Sequence, residues 1–124
     1  MVYQSDRTFR QWAYSVGHSM LYLRSTKDVE PEPIEENTID IEWWGVSYIQ
    51  IPAKLDGLVI ERVTNFPGNL LQFATHDRFV YQLTNKSGVY FIIAFGCRIG
   101  ESKFSYYEHR SMDYDLKYDK EQLL

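Results

Sequence analysis

The chain lacks the features that mark several specialised classes of protein. Its 124 residues include one cysteine, Cys97, which excludes an internal disulfide. Its longest unbroken apolar run, residues 89–95, is far shorter than the roughly 20 residues that span a bilayer. Residues 1–11 contain no apolar segment of the kind found in signal peptides. We therefore expect a single domain, residues 1–124, in the cytoplasm and without a membrane partner.

Motifs for catalysis and ligand binding are also missing. The chain has no glycine-rich phosphate loop, no Walker A sequence and no nucleophile elbow. Cys97 lies in an apolar run, where a cysteine usually acts as a small packing residue. The histidines are widely separated in the sequence and show no metal-ligand spacing: His18, His76 and His109. We therefore assign no catalytic residue, no metal site and no cofactor, and we regard an enzyme as the less favoured class.

Positive charge is scarce, and negative charge is concentrated in one segment. The formal net charge is -4, which argues against a nucleic-acid partner because proteins that bind nucleic acids usually present a basic face. Residues 28–42 contain seven carboxylates and no basic residue. Within them, Pro31 and Pro33 prevent regular strand pairing and predict an acidic loop over residues 27–37. Such a loop suits a basic protein partner.

Aromatic and β-branched residues are abundant and indicate strands. Residues 79–84 and 89–95 are apolar runs separated by a turn at residues 85–88, which predicts an antiparallel hairpin. The second run is apolar on both faces, so we expect it to be covered on both sides, at the centre of the fold. Residues 38–43 alternate strictly, which predicts a half-buried strand with Asp40 and Glu42 on a solvated face.

The pattern as a whole predicts a mainly β domain, with a β-rich α+β fold as the alternative. We expect an antiparallel sheet of about six to eight strands, arranged as a sandwich or half-barrel, with one or two short helices. Residues 9–16 fit a strand better than a helix, whereas residues 70–76 fit either. Residues 104–124 form a polar C-terminal segment that we expect to be helical or partly ordered. Gly45 predicts a bulge, and Gly96 and Gly100 are interpreted as a bulge and a turn.

Two adjacent tryptophans stand beside the acidic loop. If the chain is extended there, at most one of them faces the core, and the other lies under a loop or is exposed. An exposed tryptophan flanked by carboxylates suits a basic protein partner or a sugar ring. An ordinary solvated loop over a tucked tryptophan explains the same pattern. The candidate partner-binding residues are Glu30, Glu32, Glu35, Glu36, Trp43 and Trp44.

These observations favour a non-catalytic protein-interaction module. In size and charge the chain is comparable with bacterial immunity proteins that block basic toxins, an analogy of class alone. The alternative is a small-ligand-binding β-barrel, or a small enzyme, with an aromatic-lined cavity. A third hypothesis is a homo-oligomer in which a second copy covers the second apolar face.

Overall fold

The computed structural model describes residues 2–25, 37–103 and 118–124. These residues form nine strands and one 3₁₀ helix, Gly68–Phe73. The strands are β1 Val2–Ser15, β2 Met20–Ser25, β3 Thr38–Trp44, β4 Tyr48–Gln50, β5 Lys54–Val63, β6 Phe79–Asn85, β7 Gly88–Ala94, β8 Gly96–Ser102 and β9 Lys120–Leu123. The predicted mainly β, antiparallel fold is confirmed, with slightly more strands than expected. Residues 9–15 belong to β1, as predicted.

The strands form one sheet that rolls back on itself. Their order is β4-β7-β6-β5-β1-β2-β3-β8-β9, with β4 and β9 at the edges. The chain runs directly from β3 into β4 and from β7 into β8, although the members of each pair lie far apart in this order. At the crossing, the Phe95 amide donates to the Trp44 carbonyl and the Ser47 amide to the Ile93 carbonyl, each over 2.9 Å. The two ends of the sheet are therefore held together.

Large side chains fill the interior of the rolled sheet. Trp43 on β3, Tyr81 on β6 and Phe9 on β1 are all 0% exposed and belong to one cluster. The rings of Trp43 and Tyr81 meet edge to face, with centroids 6.4 Å apart. A second, smaller cluster of Leu70, Val80 and Ile93 lies between the 3₁₀ helix and the sheet. The helix thus covers the outer side of β6 and β7.

The hairpin of β6 and β7 is confirmed, but its position differs from the prediction. The strands pair from Phe79 opposite Ala94 to Asn85 opposite Gly88. On β7, Ile92 faces the large cluster and Ile93 the small one, so both faces are covered as expected. β7 nevertheless lies next to the edge strand β4 rather than at the centre of the sheet. Its second face is covered by the 3₁₀ helix. The sequence of residues 70–76 fits either a helix or a strand, and residues 70–73 belong to this helix.

The predicted bulge at Gly45 lies where β3 passes into β4. Trp44 pairs with Gly96 and Tyr48 with Ile93, so four residue steps on one strand face three on the other. Gly45 has a φ of 62°, which favours glycine. Space imposes the same requirement, because a Cβ on Gly45 would overlap the ring of Phe95 and a Cβ on Gly96 the indole of Trp44. Each aromatic ring therefore packs on the glycine of the opposite strand.

The end of the chain forms a strand where a helix was an option. β9 pairs with β8, and the Leu124 amide donates to the Cys97 carbonyl over 3.0 Å. The Tyr81 hydroxyl donates to the Leu124 carbonyl oxygen over 3.2 Å, which ties this end to the core. Residues 104–117, and residues 26–36 of the acidic loop, lie outside the described residues. Within the described ranges, no helix is long and apolar enough to cross a membrane.

Gly96→Ala tests the packing of aromatic rings on glycines. The added methyl group must displace the Trp44 indole, so we expect a loss of about 1–3 kcal/mol in the free energy of unfolding. In a Trp44→Ala background the same substitution should cost much less. Gly17→Ala, with nothing within 4 Å of the new Cβ, is the control. Urea denaturation measures the wild type and the four variants, and an equal cost of Gly96→Ala in both backgrounds would contradict the contact.

Candidate functional site

The outer face of β2, β3 and β8 carries a group of charged side chains. Alternation along β3 places Ile39, Ile41 and Trp43 in the core, so the intervening side chains lie on the opposite face. Each of them meets a polar or aromatic neighbour on an adjacent strand or on the C-terminal segment. We call this group the outer-face ion network; its members are Arg24, Asp40, Glu42, Arg98, Tyr118 and Glu121.

Arg24 and Asp40 form the most buried part of the network. They lie opposite each other on β2 and β3. Arg24 Nε lies 2.6 Å from Asp40 Oδ1, and Nη2 lies 2.9 Å from Oδ2. The two residues are 0% and 1% exposed. This is the fork-to-fork geometry of a strong arginine–carboxylate pair, and it neutralises both charges.

Arg98 and Tyr118 complete the network. Arg98 forms an ion pair with Glu42, and its Nη1 lies 3.1 Å from Glu121 Oε1 on β9. The Tyr118 hydroxyl lies 3.1 Å from Asp40 Oδ2 and 3.3 Å from Glu42 Oε2, so two carboxylates compete for its one proton. The network thereby links β2, β3 and β8 to the C-terminal segment.

Burial sets the protonation of the network. It raises the pKa of Glu42 above its ordinary value, and Arg98 opposes that shift only in part. Burial also raises the pKa of the Tyr118 hydroxyl, and the charges of Asp40 and Glu42 raise it further. Tyr118 therefore stays protonated at neutral pH and keeps donating to the carboxylates. The network holds elements of the fold together.

The expectation that Asp40 and Glu42 lie on a solvated face was wrong. Asp40 is 1% exposed and Glu42 3%, because arginines and Tyr118 cover them. Gly96 borders the bulge opposite Gly45, whereas the interpretation of Gly100 as a turn differs from the structure. Both lie within β8, where a Cβ would overlap Trp44 and Tyr118 respectively. These glycines leave space for rings on the outer face.

The structure separates the candidate partner-binding residues. Trp43 is 0% exposed in the core and contributes nothing to a surface. Trp44 is half-buried on the opposite face, which agrees with the expectation that at most one of the pair faces inward. The four glutamates proposed beside them lie outside the described residues: Glu30, Glu32, Glu35 and Glu36. Of the candidate residues that are described, Trp44 alone reaches the surface.

Trp44 borders an open groove of about 480 Å³ on the outer face. We call it the Trp44 groove. β9 contributes Leu123, which is 62% exposed. Apolar side chains form one part of the groove lining, and members of the outer-face ion network form the other part. The residues that line it are Met20, Tyr22, Glu42, Trp44, Arg98, Glu121 and Leu123. Sequence reasoning identified Trp44 but missed the other apolar members, which only strand pairing brings together.

Two other reactive side chains within the described residues are Cys97 and His76. Cys97 is 0% exposed opposite Trp43, and burial raises the pKa of its thiol. His76 is exposed, with Nδ1 3.2 Å from Thr75 Oγ1. In the part of the chain that the structure describes, no three histidine, cysteine, aspartate or glutamate residues are grouped to hold a metal ion.

Asp40→Asn tests the role of the buried pair. The substitution removes the carboxylate charge that pairs with the buried Arg24 guanidinium, so we expect a loss of about 3–5 kcal/mol in the free energy of unfolding. The double variant Arg24→Met/Asp40→Leu removes both charges and should lose less. Asp56→Asn, at a 73% exposed carboxylate 3.9 Å from Lys54, should change stability by less than about 0.5 kcal/mol. Denaturation showing no difference between Asp40→Asn and Asp56→Asn would contradict this role.

The pKa of Glu42 predicts a pH dependence. The folded-state pKa lies above the ordinary value of 4.5, so the folded protein binds this proton more tightly than the unfolded chain does. The resulting stabilisation is complete below pH 4.5 and is lost as the pH rises through the folded-state value. Relative to Glu42→Gln, the wild type should therefore lose stability from mildly acidic to neutral pH. Denaturation at several pH values measures the difference, and a gain by the wild type would contradict the assignment.

Comparisons with known proteins leave the geometry as the basis for interpretation. No family model, curated protein or solved structure matches this chain. The function must therefore be inferred from the side chains that are exposed and from those that bind one another inside the fold.

Proposed function

We propose that the protein is a non-catalytic protein-interaction module that binds a basic protein partner. Its contact surface comprises the Trp44 groove and the acidic loop of residues 27–37. The observation that carries the proposal is the partial exposure of Trp44 in an apolar groove, because the fold buries its neighbour Trp43 completely. β2 and β3, which contribute to the groove, are also the strands that flank the acidic loop.

The Trp44 groove has the composition of a protein contact site. Tryptophan, tyrosine and methionine are enriched at such sites, where large side chains give much contact area for little loss of conformational entropy. Trp44, Tyr22 and Met20 supply these residue types, and the exposed Leu123 extends the apolar rim. The Trp44 ring is supported from below by Gly96, so it does not have to be ordered on binding.

Arg7 fixes the base of the acidic loop. Its Nη2 donates to the carbonyl of Ser25 over 3.0 Å and to that of Asn37 over 2.7 Å. Its Nε and Nη1 donate to the side chains of the same two residues over 2.9 and 2.7 Å. Both ends of the loop are therefore held at one point of the sheet. This anchoring supports a role for the loop as part of a defined surface.

Charge selects the class of partner. The chain carries a net charge of -4, and the carboxylates of Asp40 and Glu42 are neutralised by arginines within the fold. The negative charge of this region therefore comes from the acidic loop, which contains five carboxylates. Complementary charge accelerates association and favours partners of opposite sign. A bacterial immunity protein that blocks a basic toxin is one example of such a module.

The alternative of a ligand-binding barrel is less well supported. Its cavity would lie inside the rolled sheet, but Trp43, Tyr81 and Phe9 occupy that space and are 0% exposed. The carboxylates that could serve an enzyme are engaged by arginines and Tyr118. The side chains that remain accessible therefore fit a protein contact surface better than a ligand cavity or an active site.

Charge reversal of the acidic loop tests the proposal. Immobilised wild type should retain at least one basic protein from a lysate of the source cells, as measured by quantitative mass spectrometry. Replacing Glu30, Glu32, Glu35 and Glu36 by lysine should reduce its retention by at least about tenfold, because opposite charge becomes like charge. The control reverses four other carboxylates: Asp6, Asp56, Glu61 and Asp119. An identical set of retained proteins for wild type and the loop variant would refute the proposal.

A second substitution tests the groove separately. Leu123→Ser keeps the charge but removes exposed apolar area, so it should weaken binding of the retained partner by about threefold or more. Val89→Ser, at a position 49% exposed on β7, is the control. Binding is measured by titration with the purified partner. Equal affinities of Leu123→Ser and wild type would remove the groove from the contact surface.

A further inference from the structure

A second groove, lined by arginines and phenylalanines, lies between the end of β5, the 3₁₀ helix and the start of β6. It has a volume of about 570 Å³ and shares no lining residue with the Trp44 groove. Three large apolar side chains at its border are unusually exposed: Leu71 at 66%, Phe79 at 42% and Phe95 at 40%. We call it the arginine–phenylalanine groove. The residues that line it are Arg62, Val63, Thr64, Phe66, Leu71, Ala74, Arg78, Phe79 and Val80.

Each exposed phenylalanine carries a guanidinium on its ring. Arg62 Cζ lies 4.3 Å from the centroid of Phe79, and Arg78 Cζ lies 4.2 Å from the centroid of Phe95. Stacking holds each guanidinium flat while its edges remain available for hydrogen bonds. Two orientated cations therefore border an apolar groove.

The two arginines keep their positive charge for an external group. Neither forms an ion pair within the described part of the chain, in contrast to Arg24 and Arg98. Arg78 uses Nε to donate to the Gly45 carbonyl over 2.8 Å and Nη1 to donate to the Thr75 carbonyl over 3.2 Å. These bonds fix its position without neutralising it. The Arg62 guanidinium makes no hydrogen bond to another described residue, so its whole fork is open to a carboxylate.

The loop at the rim of the groove has an uncommon backbone conformation. His76 and Asp77, both exposed, have φ values of 59° and 63°, in the left-handed region that residues other than glycine rarely adopt. They directly precede Arg78, whose side chain donates to the carbonyl of Gly45, just after β3, and to the carbonyl of Thr75 within the loop itself. The fold therefore maintains a costly local conformation beside the stacked arginine.

We infer that the arginine–phenylalanine groove binds an acidic peptide segment of a partner protein, with an apolar side chain in the groove and carboxylates on Arg62 and Arg78. Charge complementarity carries this assignment: two fixed, unneutralised cations flank the apolar surface of Leu71 and Phe79. Carboxylates can pair with the edges of both guanidiniums while the apolar side chain is buried between them.

A nucleic acid suits the groove less well. Bases bind to proteins largely by stacking on the open faces of aromatic rings. Here a guanidinium already covers one face of Phe79 and one face of Phe95. A peptide needs neither a free ring face nor an extended basic surface.

The residues that anchor the acidic loop lie at the opposite end of β3 from the groove. Arg7 holds both of its ends, Ser25 and Asn37, before β3 begins. The groove adjoins Gly45, after β3 ends, because Arg78 donates to the Gly45 carbonyl. A strand of seven residues separates these points by roughly 20 Å. The occupant is therefore assigned to another protein.

Selection from a phage library of random dodecapeptides tests the inference on the full chain. Peptides enriched on the wild type should be rich in aspartate and glutamate around one or more leucine or phenylalanine residues. Their affinity, measured by fluorescence polarisation with synthetic peptides, should fall at least about tenfold in Arg62→Glu, because attraction becomes repulsion. Lys86→Glu, an equal charge change at an exposed turn, should alter it by less than about twofold.

Further variants separate this site from the first surface. Leu71→Ser should weaken peptide binding, whereas Val16→Ser, at a position 83% exposed, should not. Reversal of the four loop glutamates should leave peptide binding intact, so failure of either proposal is distinguishable from failure of the other. The inference is overturned if no peptide is enriched, if enriched peptides are not acidic, or if Arg62→Glu binds them as well as the wild type. Stronger competition by a single-stranded DNA dodecamer than by the peptide would also overturn it.

Discussion

The crossing of two continuous chain segments, β3 with β4 and β7 with β8, is the constraint on which the rest of the structure depends. Two backbone hydrogen bonds, from Phe95 to Trp44 and from Ser47 to Ile93, hold the ends of the sheet together there. Without them the inward side chains of β3, including Trp43, would have no opposite wall to pack against. The rolled sheet encloses one large cluster and leaves the 3₁₀ helix to cover the small one.

The outer-face ion network makes a different contribution. An apolar layer would stabilise the same face with less desolvation, since burying charge is costly even when the charges are paired. The paired charges, however, fit only one register: a shift of β2 by one residue would move Arg24 away from Asp40 and turn it towards the core. The network also attaches Tyr118 and Glu121 to β3 and β8. We interpret it as a means of specifying register and of fastening the C-terminal segment.

Local patterns predicted the strands and their hairpin because alternation, turns and β-branched residues act over a few neighbouring positions. They predicted that at most one tryptophan of the pair would face inward, since period two places adjacent side chains on opposite faces. They could not predict that Asp40 would be buried, because its cover comes from Arg24 on another strand and from Tyr118, distant in the sequence. The roles of Gly96 and Gly100 were missed for the same reason: the rings that need their space come from elsewhere in the chain. The two arginine–phenylalanine stacks likewise arise only from the sheet pairing.

The reciprocal packing of two rings on two glycines has an evolutionary consequence. Trp44 requires the space above Gly96, so replacing Trp44 by a small residue removes the steric reason for retaining that glycine, whereas Gly45 is favoured by its φ as well as by Phe95. Relatives of this chain should therefore vary at positions 44 and 96 in concert, with the aromatic residue and its glycine retained together or replaced together. Because Trp44 lines the Trp44 groove, such coordinated replacement would reshape the proposed contact surface without disturbing the strand pairing beneath it. The proposed contact surface could therefore change during evolution at the crossing while the fold stays the same.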